Sequence, residues 1–315
     1  MSIKKWMLSL IAVTLLWGAT STMPTTEAAS SSQPIEVLLN AKKIQFPDAK
    51  PFQDSNDYVM VPIRFVSEAL GAKVGWEKTD GQLAVSIKND THAVSMTVGQ
   101  NTATVDGQTK TYETKIILKQ NRTFVPLRLV SEGLGQTVEW DKVSRWVWIG
   151  KKEIAALEDT GHQAVSIEPY KKLFASNPFL LKKVNGGTYD KVVVFKQSSL
   201  PIKLLRDVYS IESYINAKGT PYLRVRVKTN SLSGSIFFIT KYGDTRHRYA
   251  VDQLTTDNGD GTKMQYFPIY SSADELFQGV KNYKSFKLED VQYIGLPLST
   301  NDYIPLMVNP WKGNL

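Results

Sequence analysis

One stretch of this chain occurs twice. It runs Tyr58-Val59-Met60-Val61-Pro62-Ile63-Arg64-Phe65-Val66-Ser67-Glu68-Ala69-Leu70-Gly71-Ala72-Lys73-Val74-Gly75-Trp76 and returns as Thr123-Phe124-Val125-Pro126-Leu127-Arg128-Leu129-Val130-Ser131-Glu132-Gly133-Leu134-Gly135-Gln136-Thr137-Val138-Glu139-Trp140. The offset from Pro62 to Pro126 holds through the shared Arg, Val, Ser, Glu, Leu, Gly and Trp without a gap. One unit has been duplicated, and two such units are expected to bury their apolar faces against each other or within a shared sheet.

Each unit reads as strand, short helix, strand. Tyr58 to Val61, or Phe124 and Val125, looks like the end of a buried strand, and Pro62 or Pro126 fits the first turn of a helix, where no N–H is needed. Ile63, Val66 and Leu70 then share one helical face, as do Leu127, Val130 and Leu134. Gly71 and Gly135 are placed to cap the helices in the left-handed conformation. Trp76 and Trp140, on the return strands, are expected to add large apolar area to the core. Arg64 with Glu68 and Arg128 with Glu132 sit four apart, where an ion pair contributes only about 0.2–0.5 kcal/mol. These arginines read as scaffold that packs its stems and holds loop carbonyls.

The doubled pattern VPxRxxxExLGxxVxW, preceded by Asn40-Ala41-Lys42-Lys43-Ile44-Gln45-Phe46-Pro47-Asp48-Ala49-Lys50-Pro51-Phe52, resembles the copper amine oxidase N-terminal-like, or stalk, domain of secreted proteins from Gram-positive bacteria. The resemblance covers roughly residues 35 to 150. It implies a non-catalytic module found as an extracellular appendage beside varied partner domains, and it implies nothing about the C-terminal half.

A chain of 315 residues allows about two domains. Cysteine is absent, which excludes disulfides, thiolate metal sites and a cysteine nucleophile. Lys4 and Lys5, the apolar run Trp6 to Trp17, and the small and polar residues ending in Glu27-Ala28-Ala29-Ser30 have the layout of a secretory signal. The run is shorter than the ~20 apolar residues of a spanning helix, so the membrane is met only through this segment. Residues 151–315 carry 22 bases against 16 acids. Outside a Gram-positive cell such an excess meets anionic wall polymer or lipid headgroups, although a solvated basic surface explains it more simply. No nucleic-acid partner is expected.

Taken in order, residues 1–29 read as signal peptide and 30–150 as the duplicated module. It opens on a hairpin of Val37 and Leu39 against Ile44 and Phe46. Leu83 to Ile87 and Arg145 to Ile149 are equivalent closing strands. Residues 151–161 read as a linker in which Lys151 to Glu158 form a short helix ended at Asp159-Thr160-Gly161. Residues 162–315 have the look of a β-rich domain, sandwich-like or a curved antiparallel sheet. Its strands are expected at Val192–Phe195, Tyr222–Val227, Ser235–Thr240, Arg248–Val251, Gln265–Ile269, Phe286–Tyr293 and Ile304–Val308. Pro201 to Asn216 has helical periodicity through Leu204, Leu205, Val208, Ile211, Tyr214 and Ile215, and Ser272 to Val280 reads as a second helix. The fold class expected is α+β.

Motifs for chemistry are few. Imidazole is the usual copper ligand, and the three histidines, His92, His162 and His247, form no His-x-His or i, i+4 pair. The resemblance's oxidase relatives make their cofactor from a tyrosine in an Asn-Tyr-Asp or Asn-Tyr-Glu context, and Asn282-Tyr283-Lys284 lacks the acid. Asp257-Asn258-Gly259-Asp260-Gly261 fails the calcium-loop register, with Thr256 and Phe267 at the end positions. It reads instead as a hairpin turn between Tyr249-Ala250-Val251 and Met264-Gln265-Tyr266. The adjacent acids Asp274-Glu275 and Glu289-Asp290 point to different sides of an element. No catalytic residue, cofactor or metal is assigned. Tyrosines and phenylalanines of the C-terminal half (Tyr209, Tyr214, Tyr222, Phe237, Phe238, Tyr242, Tyr249, Tyr266, Phe267, Tyr270) are expected in cores and cross-strand pairs. An exposed row would instead suit carbohydrate.

The expectation is a secreted, non-catalytic, envelope-associated binding or spacer protein. The alternative is an extracellular hydrolase of wall polymer or polysaccharide, which requires a cleft with two convergent carboxylates. A sensor of a small ligand would require an apolar pocket.

Overall fold

The computed structural model describes residues 34–183, 186–296 and 302–313. The expected signal segment lies outside them. The N-terminal half is built on three sheets. Its first strand, Glu36–Leu39, turns back at Asn40 and Ala41, both at positive φ, into Lys42–Lys43. The expected hairpin forms here, but its second strand stops at Lys43, short of the expected Ile44 and Phe46.

The two copies of the repeat meet at their strands. Val59–Pro62 lies antiparallel to Arg122–Pro126, with Val61 opposite Val125, Met60 opposite Pro126 and Pro62 opposite Phe124. Val125 is the repeat equivalent of Val61, so each residue faces the partner that the repeat assigns to it. A local two-fold axis passes through the Val61–Val125 pair. Both valines are fully buried.

Helix α1 (Ile63–Ala69) follows the first of these strands and α2 (Leu127–Gly133) the second, each directly after its proline. The inward residues Ile63, Val66, Leu127, Val130 and Leu134 join one apolar core with residues from Ile35 to Ile149. Gly71 and Gly135 sit at φ +72° and +76°. Their N–H groups bond to the carbonyls of Glu68 and Glu132, while Ala72 and Gln136 reach Ser67 and Ser131 at 2.8 Å. That bond pair closes a helix with a left-handed glycine.

The return strands differ. Val138–Asp141 pairs with Trp146–Ile149, which runs parallel to Glu36–Leu39. Lys73–Thr79 instead opens a five-stranded antiparallel meander that ends at Gln108–Thr111. Trp140 packs against the core. Trp76 does not: it is 40% exposed and lies under the Arg64 guanidinium at 4.8 Å. The edge strand leaves its indole outside.

The C-terminal half is strand-rich, with two sheets that share a core. The five-stranded sheet includes Asp207–Ile215, Pro221–Lys228 and Thr262–Pro268. The six-stranded sheet includes Lys191–Phe195, Ser235–Thr240, Thr245–Tyr249, Val291–Gly295 and Ile304–Val308. Val208, Ile211, Leu223, Val225 and Phe267 from the first meet Val193, Phe195, Ile236, Phe238, Ile294 and Met307 from the second. Helix α3 (Ala273–Gln278) matches the expected second helix and ends on Gly279 at φ +69°.

Four expectations are corrected. Pro201 to Asn216 is not helical: it forms the strands Ile202–Lys203 and Asp207–Ile215. A β-bulge between Val208 and Ser210 sets Val208 opposite Val227 and Ile211 opposite Val225. One extra residue thus places residues three apart on one face, which imitates helical spacing. Lys151 to Glu158 is not a helix either, because Ile154 is drawn under Trp146 and Trp148 and Lys203 N bonds to Ala155 O; only a 3-10 turn at Leu157–Thr160 forms, ended by Gly161. The hairpin partner of Thr262–Pro268 is Thr256–Asp257, while Thr245–Tyr249 pairs with Ser235–Thr240 in the other sheet. The strand expected at Phe286–Tyr293 begins only at Val291, after a 3-10 turn at Leu288–Asp290.

The described residues pack as one unit, and the outer face of the five-stranded sheet carries the junction. Arg226, 2% exposed, donates to Asp141 and Ser144 of the N-terminal half, to Asp260, and through Nε to Thr262 Oγ1 at 3.0 Å. Its guanidinium lies 4.8 Å from the ring of the bulged Tyr209, which packs against Trp146 and Trp148.

Candidate functional site

Alternation on the strands fixes what faces inward. In Pro221–Lys228, Arg224 and Arg226 are on the outer face, so Val225 and Val227 point into the domain. Gln265 and Phe267 do so beside them, paired with Val225 and Leu223. Across the gap, Ile236 comes from the inner face of the six-stranded sheet, while Phe237 and His247, paired on neighbouring strands, come from its opposite face. A cavity of about 790 Å³ is lined by residues of both sheets. Further walls come from Leu204 and Val208, from Asn177 and Tyr189, and from Leu296 and Tyr303. That volume falls in the range of small-ligand sites, which are mostly apolar with a few placed polar groups.

The polar lining is mainly held by the protein itself. Gln265, 3% exposed, donates Nε2 to the carbonyls of Ser231, Leu232 and Ser233, the nearest at 3.1 Å. This ties the five-stranded sheet to the loop that enters Ser235–Thr240. His247 stacks edge-on to Tyr249 at 4.7 Å. Burial, and then the neighbouring Arg248 charge, pushes its imidazole below the ordinary histidine range, so a neutral ring faces the cavity. The charged lining residues are Lys182 and Arg206, both exposed at the mouth beside the exposed Phe179, Leu205 and Tyr249. Among the described residues lining the cavity there is no carboxylate.

Behind this wall is an ion pair that sequence reading missed. Arg248, 1% exposed, holds Asp274 of α3 through two bonds of 2.8 and 2.7 Å and donates to the carbonyls of His247, Pro268 and Ile269. Asp274 therefore anchors a helix and is not half of a working carboxylate pair. Adjacent acids carry no mark that one is buried; a partner distant in sequence decides it.

The repeat residues lie elsewhere. Pro62 and Pro126 precede α1 and α2. Arg128 Nε meets Glu132 at 3.3 Å with both side chains about half exposed or more. Arg64 stacks on Trp76 instead of holding loop carbonyls, and Glu68 is exposed. Leu70 and Leu134 pack into the N-terminal core, and Gly71 and Gly135 cap the helices. None of these residues lines the cavity.

The three histidines do not converge. His92 pairs with Asp106 at 2.8 Å. His162 sits between Thr160 Oγ1 at 2.7 Å and Ser199 Oγ at 3.2 Å. That contact sets serine beside a base without a carboxylate to orient the ring, and neither residue lines the cavity. His247 is the third. Among the described residues no group of three or more His, Asp or Glu side chains could hold a metal ion, so the residues do not fit a copper centre. In the 257–261 loop, Asp257 is taken by Lys263 at 2.7 Å and Asp260 by Arg226 and Thr262. The aromatics mostly pair: Tyr214 and Tyr222 stand edge-on to Tyr266, and Phe238 and Phe267 are buried. Tyr242 and Tyr249 are exposed but do not continue that cluster.

No curated protein matches the chain. A sequence family described as the copper amine oxidase N-terminal domain matches residues 38–149, the span that holds both copies of the repeat and the first apolar core. The N-terminal half is thus similar to the copper amine oxidase N-terminal domain family, and the C-terminal half matches no family.

Proposed function

We propose that this chain is a secreted, non-catalytic binding protein of the cell envelope. A duplicated strand-helix-strand module serves as its rigid support, and a sandwich-like C-terminal domain carries the binding site. The similarity of residues 38–149 fits an accessory or stalk-like part. The pairing of Val61 with its repeat equivalent Val125 supports duplication, and the buried Arg226 junction supports rigidity.

The observation that carries the binding reading is the 790 Å³ cavity, apolar inside and free of carboxylates among its described lining residues. Hydrolysis of a glycosidic bond needs two carboxyl groups flanking the bond, so binding is the better supported role. The experiment is a titration of the mature protein with N-phenyl-1-naphthylamine, a neutral fluorescent probe. Saturable binding at one site, lost when Leu205→Trp and Val208→Trp crowd the cavity, is expected. A linear, non-saturating signal would sink the reading. Association with isolated walls across a salt series checks the envelope part, and release of the protein into the wall or medium fraction checks secretion.

A further inference from the structure

We infer that the cavity takes a free single-chain anionic amphiphile, an alkyl chain ending in a carboxylate. This rests on the binding reading above and adds the class of ligand. Two observations on different parts of the site lead to it.

The first is the division of polarity along the cavity. Val225, Val227, Ile236 and Phe267 form an interior that gives a chain apolar contact, and Phe237 adds to the lining from the other face of its strand. The polar groups there are occupied or neutral: Gln265 Nε2 is shared among three backbone carbonyls, and the His247 ring stays uncharged. A charged head drawn into such an interior would lose its hydration without compensation. The head must therefore stay at the mouth while the chain enters.

The second is the charge at that mouth. Lys182 and Arg206 are both exposed and line the opening. Among the described residues neither forms an ion pair, whereas the neighbouring Lys183 is matched by Asp302 at 3.3 Å. A planar guanidinium and a mobile ammonium suit a carboxylate, and a cationic head would be repelled. Exposed Phe179, Leu205 and Tyr249 around them cover the first methylenes below the head.

The test is competition against bound N-phenyl-1-naphthylamine by saturated carboxylates of increasing length, used below their micelle concentrations. Matched alcohols and alkylammonium ions run in parallel. The carboxylates are expected to compete best, with Kd tightening about fourfold per methylene until the cavity is filled. Lys182→Glu with Arg206→Glu should weaken the carboxylates about tenfold or more and leave the alcohols unchanged. Both substitutions are on exposed side chains, so folding is not at stake.

If alcohols compete as well as carboxylates, or the double variant changes neither, the head-group inference falls while the cavity reading stands. If the neutral probe itself does not bind, both fall. Flotation with anionic lipid vesicles separates a second source: binding to vesicles that free carboxylates do not displace would overturn the assignment to a free amphiphile.

Discussion

Arg226 and Asp141 come from opposite halves of the chain and form a buried ion pair, with Ser144 and Asp260 sharing the same guanidinium. Removing one partner of a buried pair strands the others, and the loss is about 3–5 kcal/mol. Arg226→Ala is therefore expected to destabilise the protein by that amount. Trp146 and Trp148 lie at the same junction, so tryptophan fluorescence should report its opening in denaturant before the far-ultraviolet circular dichroism changes. Coincident transitions in the variant, with a loss below about 1 kcal/mol, would contradict a junction held by this residue.

Gly71 and Gly135 are repeat equivalents with the same backbone conformation, yet their surroundings differ. A left-handed non-glycine residue costs roughly 1–2 kcal/mol, and Gly71→Ala meets nothing else, since a Cβ there has open space around it. At Gly135 the new carbon would stand 2.8 Å from His92 Nε2, on a ring that Asp106 holds through its other nitrogen at 2.8 Å. Gly135→Ala should be the more costly of the two in thermal unfolding, and adding His92→Ala should remove the difference. Equal losses at both sites would show that the His92 ring moves freely.

What the sequence made legible follows from what is local. The proline, the 3–4 spacing and the glycine of each repeat act within one turn of chain, and α1 and α2 form where they predict. The Asp207–Ile215 strand was hidden because its bulge gave Val208 and Ile211 the spacing of a helix face. Lys151 to Glu158 lost its helix to tertiary packing, as Ile154 was drawn beneath the tryptophans. The cavity left no local mark at all. Its residues sit on separate strands and loops and read singly as ordinary core residues do, and only the tertiary arrangement brings them around one space.

Stability should depend on pH through His247. Burial first, then Arg248, lowers its folded pKa below the usual 6.5. As pH falls through about 6.5 the unfolded chain takes up a proton that the folded chain refuses. Stability is thus expected to decline between neutral pH and the lower folded pKa, then level off for this group. His247→Gln should flatten that portion of the profile in denaturant titrations at pH 7, 6 and 5. Asp260 acts in the same direction, further down. Burial alone would raise its pKa, but bonds from Thr262 and Arg226 outweigh it and lower it, so its contribution persists until acid pH and is lost below the ordinary carboxylate range. A decline between pH 7 and 5 that survives His247→Gln unchanged would assign it to other groups.

Phe237 and Gly295 pair across adjacent strands of the six-stranded sheet, and the glycine is the reason the ring lies where it does. A Cβ on Gly295 would stand 2.0, 2.2 and 2.5 Å from three atoms of the Phe237 ring, far inside contact distance. Because Phe237 also lines the cavity, Gly295→Ala has two expected effects. Overpacking should lower stability by about 1–3 kcal/mol, and the displaced ring should enter the cavity and weaken N-phenyl-1-naphthylamine binding. Phe237→Leu in the same background gives the methyl group room and should restore the probe site. Stability lost with probe binding intact would place the displaced ring on the side of Phe174, which it meets edge-on at 6.2 Å.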